Sequence, residues 1–112
     1  TPPTPSAVLA AVDTFCTTRH WMMHCGDVKR KVLEAEVDAV VAAAAPTTRV
    51  TAVELGTYLG YSAVAIAARL RPGDKLVSVD VDPRAVKWGR RLATLAGVHD
   101  RVEFVEGGAG DL

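Results

Sequence analysis

What this chain of 112 residues lacks narrows it before any motif is read. Cysteine is scarce: Cys16 and Cys25 are the only two, they lack metal-ligand spacing, and nothing marks the chain as secreted. They read as reduced thiols. An excess of one charge is also absent, since 13 Lys and Arg offset 13 Asp and Glu. With no face concentrating cations, there is no footprint for a nucleic acid's phosphate backbone. No apolar run reaches the length of a membrane span, and the most apolar stretches, Val37 to Ala45 and Ala63 to Ala68, read as helix faces. The first residue is Thr1 and not Met, which leaves an upstream targeting or anchoring segment open. The corresponding location is cytoplasmic, or cytoplasm-facing if such an anchor exists. The length suits one modest domain and not two, and a 49% hydrophobic composition supports a core.

The chain is organised around Val50 to Ala65, VTAVELGTYLGYSAVA. Val50, Ala52, Val53 and Leu55 have the near-continuous apolar character of a parallel strand buried on both faces. Gly56 and Gly60 follow at once, permitting positive φ and letting a ligand lie against bare backbone. Tyr61 and Ser62 then open a helix in which Ala63, Ile66, Ala67 and Leu70 recur at helical spacing, with Ser62 placed to cap it. Strand, Gly turn and helix make the opening unit of a nucleotide-type α/β fold, with the ligand at the strand's carboxyl end.

The glycine spacing G-x-x-x-G fits neither the dinucleotide pattern G-x-G-x-x-G nor a P-loop. Glu54 is more informative. A pyrophosphate beside it would meet repulsion of roughly 4 kcal/mol per unit charge at about 4 Å and an effective dielectric of about 20. A ligand carrying an ammonium and a sulfonium would be attracted, which points to S-adenosylmethionine over NAD, FAD or ATP. The alternative is that Glu54 caps a nearby helix or pairs with a surface Lys.

Around this unit, Thr1 to Pro5 reads as a linker or frayed end, and Ser6 as the cap of a helix with Val8, Val12 and Phe15 on one stripe. Trp21, Met22 and Met23 stand together before a Gly-Asp helix start. They suit flexible walls for a flat apolar ligand, or else ordinary core contact. His20 and His24, four apart, find no carboxylate or Cys at matching spacing and make a weak metal pair. Asp27 is placed to cap a helix over Val28 to Ala45, an amphipathic cover for the sheet stopped by Pro46.

Lys75 to Asp80 reads as a second buried strand ending in a carboxylate. Asp80 lies 26 residues after Glu54, where a nucleotide-binding βαβ unit puts the acid that accepts both ribose hydroxyls. Asp82 and Pro83 already supply an N-cap and a first-position Pro for the following helix, so Asp80 is left for the ligand. That helix runs Arg84 to Ala96 with Val86, Leu92, Leu95 and Ala96 inward and Lys87 and Trp88 outward, and Gly97 takes the left-handed C-terminal position. Arg101 to Val105 is a third strand. The small-residue loop after it, Glu106 to Asp111, is either a cover for a planar base or a tail.

These residues resemble a known family, the catechol O-methyltransferases and their close relatives among S-adenosylmethionine-dependent methyltransferases. The resemblance rests on W-x-M-x-x-G-D at Trp21 to Asp27, E-L-G-x-Y-x-G-Y-S-A-V at Glu54 to Val64, an acid and then a proline around Asp80 and Pro83, and A-G-V-x-D-x-V at Ala96 to Val102. It covers nearly the whole chain. It implies a Rossmann-like α/β methyltransferase fold, with residues 6–112 as the amino-terminal part of one domain, truncated after the third parallel strand. The implied reaction is methyl transfer from S-adenosylmethionine to a catechol hydroxyl, on a catecholamine or a xenobiotic catechol.

Carried over by position, Glu54, Gly56, Tyr58 and Ser62 would surround the methionine end of the donor, and Cys25 would replace a commonly aliphatic residue whose backbone touches it. Asp80 would hold the ribose in place of a more usual Glu, and Val81 would contact the adenine. Met23 would lie beside both donor and acceptor, and Trp21 would flank the aromatic acceptor. The family's Mg2+ ligands and general-base Lys arise beyond the position that aligns with Leu112, so the resemblance places no catalytic or metal-binding residue in this chain. Ala109 and Gly110 depart from a Ser and a Gln near the adenine, which removes side-chain hydrogen bonds. A membrane-anchored relative shares the E-L-G-T-Y opening but not the Trp-Met pair.

Right-handed crossovers would set the strands in the order 3-2-1 with the first strand as an open edge, an aggregation hazard, so the expectation is a fragment of a longer domain. Two other functions are weighed against this one. A nicotinamide-dependent oxidoreductase is disfavoured by the missing G-x-G-x-x-G and by Glu54. A non-catalytic methyltransferase-like binding module is left open by the Ala109 and Gly110 departures.

Overall fold

Three short apolar runs form the strands β1 (Thr51–Leu55), β2 (Lys75–Asp80) and β3 (Val102–Glu106). They pair in parallel in the order β1-β2-β3, as expected, with Glu54 opposite Ser78 and Ser78 opposite Phe104. The helices are α1 (Pro5–Thr18), α2 (Gly26–Ala43), α3 (Tyr61–Arg69) and α4 (Pro83–Leu95). This computed structural model describes residues 3–18, 26–108 and 110, without side chains at 15–18.

The period-two alternation of the strands sends Leu76, Ser78 and Phe104 to one side, where all three are buried. Helices α3 and α4 cover that side: Ala63 to Ala67 of α3 share one core with Leu76, Val86 and Phe104. Two right-handed crossovers moving the same way along a sheet put both helices on one face. Opposite, Val53 and Leu55 are 58% and 63% exposed, so β1 is covered on one face here and not on both. Helix α2 departs from expectation in a related way. Its Leu33, Val37 and Val41 pack against α3 and the core behind it, so it forms an outer layer on α3 and does not cover the sheet itself.

Helix ends follow local chemistry. Thr4, not Ser6, caps α1: its Oγ1 accepts the Ala7 N–H at 3.2 Å, and Pro5 takes the first helical position, where a missing N–H costs nothing. Helix α2 begins at Gly26, placing Asp27 in its first turn instead of at the cap. Asp82 caps α4 as expected, accepting the Arg84 N–H at 2.9 Å ahead of Pro83. Leu95 was expected inward but is 53% exposed, while Gly89 and Ala93 are buried instead. Gly97 has the expected positive φ of 76°.

The turn from α3 to β2 is fastened by Asp74, which is almost fully buried. Its carboxylate accepts from the Val50 N–H at 2.8 Å and from the Arg71 N–H and Nε, each at 2.9 Å. The Arg71 guanidinium also donates to the carbonyls of Ala45 and Thr48. One ion pair therefore ties the entry to β1 to the entry to β2 and holds the two strands in register.

Candidate functional site

The carboxyl ends of the three strands open on a common cleft. Leu55 and Gly56 come from the end of β1, Val79, Asp80 and Val81 from the end of β2, Gly107 and Gly108 from beyond β3, with Tyr58 at the edge. Of the residues expected at the site, Gly56, Tyr58, Asp80 and Val81 thus line one cavity. Glu54 and Ser62 are not among the residues that line it. Trp21, Met23 and Cys25 lie outside the described residues, as does Ala109.

The Gly turn owes its shape to two positive-φ glycines, Gly56 at 94° and Gly60 at 92°. Gly56 N–H donates to Val79 O at 2.7 Å, extending the ladder past β1, and Gly60 N–H donates to Thr57 O at 2.9 Å. Tyr58 is the one non-glycine described residue with positive φ, at 51°. Its exposed ring lies over Gly56, where a Cβ would come within 2.7 Å of Tyr58 Cε2.

Glu54 projects from β1 beneath α3 and is neither a helix cap nor a partner of Lys. Ser62 Oγ donates to Glu54 Oε2, and Ser78 Oγ donates to Glu54 Oε1 at 2.7 Å. Thr57 Oγ1 lies 2.8 Å from Ser78 Oγ, fully buried below both. Burial pushes the Glu54 carboxyl above its ordinary value, and the hydrogen bonds from Ser62 and Ser78 offset part of that rise. Ser62 is therefore not the cap of α3. That cap is Gly60, without a side-chain hydrogen bond, and the Ser62 hydroxyl is spent on Glu54.

Asp80 holds three main-chain amides with its carboxylate. Its Oδ2 accepts the N–H groups of Thr57 at 3.0 Å and Tyr58 at 3.1 Å, and its Oδ1 accepts the Asp82 N–H at 2.8 Å. Its main-chain carbonyl accepts the Gly107 N–H at 2.9 Å. The turn after β1 and the loop after β3 are both bonded to this residue. The pair of turn amides that would cradle a phosphate in a nucleotide-binding fold already holds a carboxylate.

Three structural contributors were not singled out from the sequence. Ser78 and Thr57 form the hydroxyl floor under Glu54; a lone Ser within the apolar run KLVSVD was the available signal. Gly89 lets α4 approach the turn, and a glycine inside an amphipathic helix was its signal.

Comparison with known proteins places this geometry. A family model described as O-methyltransferase matches residues 29–111. Catechol O-methyltransferase B of Danio rerio is 39% identical over 107 residues, covering 96% of this chain and 38% of that protein. A probable O-methyltransferase of Mycobacterium tuberculosis is 40% identical over 104 residues, covering 93% of this chain and 41% of that protein. The chain thus spans about two fifths of the length of these relatives. Among solved structures, an O-methyltransferase from Bacillus cereus in complex with SAH superposes with a TM-score of 0.70 at 22% identity, over 97% of this chain and 46% of that one. That likeness establishes the Rossmann-like α/β fold with three parallel strands. Because the family match runs from α2 through every strand and loop that borders the cleft, this chain belongs to the O-methyltransferase family.

Proposed function

We propose that this chain forms the donor-binding part of an S-adenosylmethionine-dependent O-methyltransferase acting on a catechol. One observation carries the reading: Asp80 lines the cleft, and the Thr57 and Tyr58 amides that could have met a phosphate are already bonded to its carboxylate. Such a site repels pyrophosphate and suits a cationic nucleoside. When bound, the donor supplies a methyl group on a sulfonium sulfur.

The chain's own residues would bind and orient. Gly56, with the Tyr58 ring over it, borders the donor's amino-acid arm, and Glu54, held by Ser62 and Ser78, attracts its ammonium. Asp80 faces the ribose, and Val81 with Gly107 and Gly108 borders the adenine. Met23, Cys25 and Trp21 are assigned to donor and acceptor on the family resemblance. The catechol acceptor is supported by the naming of the Danio rerio relative. Mg2+ and a general base would complete the chemistry by ionising the acceptor hydroxyl. Among the described residues no group of three or more His, Cys, Asp and Glu could hold a metal. No helix among the described residues is long and apolar enough to cross a membrane.

Equilibrium dialysis of this chain against labelled S-adenosylmethionine, with NADH as competitor, tests the reading. Saturable binding that NADH does not displace is expected. Displacement by NADH at lower concentration than by S-adenosylhomocysteine would favour the nicotinamide-dependent alternative.

A further inference from the structure

The family resemblance assigns Asp80 to both ribose hydroxyls, but its hydrogen bonds describe another task. An ionised carboxylate offers about four acceptor positions. Three are filled from within the chain, by Thr57 N–H, Tyr58 N–H and Asp82 N–H, at 2.8 to 3.1 Å. Two of these donors are successive amides of the Gly turn, and the second belongs to Tyr58, whose backbone is left-handed without being glycine. Such a conformation persists when its surroundings hold it. The Asp80 carboxylate is what bonds it on the cleft side.

We infer that Asp80 is a positioning residue: its carboxylate fills the amide nest of the Thr57–Tyr58 turn as an internal anion, leaving one acceptor for a ribose hydroxyl and not two. The inference rests on the donor-site reading for its ribose half and on these hydrogen bonds alone for its turn half. Since the Asp80 carbonyl also accepts Gly107 N–H, one residue bonds both the turn after β1 and the loop after β3, the two walls of the cleft.

The turn half is tested by amide hydrogen exchange on Asp80→Ala. Thr57 and Tyr58 should exchange at least about tenfold faster than in the unaltered chain, while Lys75 and Ala96, bonded to Val50 O and Leu92 O, keep their rates as controls for folding. Unchanged rates at Thr57 and Tyr58 would overturn the inference. If Asp80→Ala fails to fold, Asp80→Asn decides: its single oxygen can still accept both turn amides, so Thr57 and Tyr58 stay protected and Asp82 does not. Protection at Asp82 with loss at the turn contradicts the assignment.

The ribose half is tested by calorimetry with S-adenosylhomocysteine and its 2′-deoxy and 3′-deoxy analogues. One analogue should bind about tenfold or more weakly and the other within about threefold of the parent. Equal losses for both, or none for either, would contradict a single remaining acceptor. If S-adenosylhomocysteine itself does not bind, the donor-site reading fails with the ribose half, and the exchange result still decides the turn half.

Discussion

Gly60 and Gly89 meet backbone to backbone: a Cβ on Gly60 would lie 2.8 Å from the Cα of Gly89. A Cβ on Gly89 would in turn sit 2.6 Å from Phe104 Cε1 and 2.7 Å from Thr57 Cγ2, both on buried side chains. The turn after β1 is thus pressed directly on α4 with no side chain between Gly60 and Gly89. Gly89→Ala should destabilise by about 1–3 kcal/mol through overpacking. Gly60→Ala should cost about 3 kcal/mol or more, since it adds backbone strain at φ 92° to a clash with main chain. Denaturant titration checks both, and a Gly60→Ala chain of unchanged midpoint would refute the close approach.

The Glu54 carboxyl opposes folding at neutral pH. Its folded pKa is raised by burial, so the protonated form is the one the fold prefers. Its contribution to stability is therefore fully present below the unfolded carboxylate value and is lost as pH rises through the folded value. Glu54→Gln keeps an oxygen and an amide to meet Ser62 and Ser78. It should melt a few degrees above the unaltered chain at pH 7, the difference closing towards pH 4. Thermal melts across that range check it, and a lower melting temperature at pH 7 would contradict it.

Ser78 steadies the ionised form of Glu54 through the 2.7 Å bond it donates. Ser78→Ala should raise the Glu54 pKa further, because a hydrogen bond that favours the anion is removed while burial remains. On the proposed role of Glu54, donor binding should then weaken on acidification at a higher pH than in the unaltered chain. Affinity measured at several pH values checks the direction, and a shift to lower pH would rule out the proposed link.

Asp74 works in the opposite sense. The Arg71 guanidinium, then the Val50 amide, hold its carboxyl well below the usual carboxylate range. Its stabilising contribution is present above the unfolded value and is lost as pH falls towards the folded one. Acid unfolding should therefore set in between about pH 4 and pH 2. Asp74→Asn should lower the melting temperature at pH 7 and flatten that acid transition, which melts from pH 2 to 7 would show.

The parallel α/β architecture was legible because its signals are local: apolar runs ending at Glu54 and Asp80, paired glycines at 56 and 60, and an Asp-Pro start at Asp82. Strand order followed from crossover handedness. Less legible was anything set by what lies across space. Val53 and Leu55 look like residues of a doubly covered strand, yet they are exposed because α3 and α4 both lie on the other face. Ser62 stands where a cap should, but its hydroxyl meets a carboxylate eight residues earlier. Asp80 sits where a ribose acid belongs, and spacing alone cannot reveal that two turn amides reach its Oδ2 first. Of the residues singled out from the sequence, Gly56, Tyr58, Asp80 and Val81 gather at the cleft; the hydrogen bonds they already hold depend on contacts distant in sequence.

The most direct measurement is the affinity of S-adenosylmethionine for the unaltered chain and for Glu54→Gln, side by side by calorimetry at pH 7.5. Loss of a charge-assisted bond to the donor's ammonium should weaken binding by about 10- to 100-fold, in a variant that melts no lower than its parent. Equal affinities in the two folded chains would contradict the claim that Glu54 selects a cationic donor.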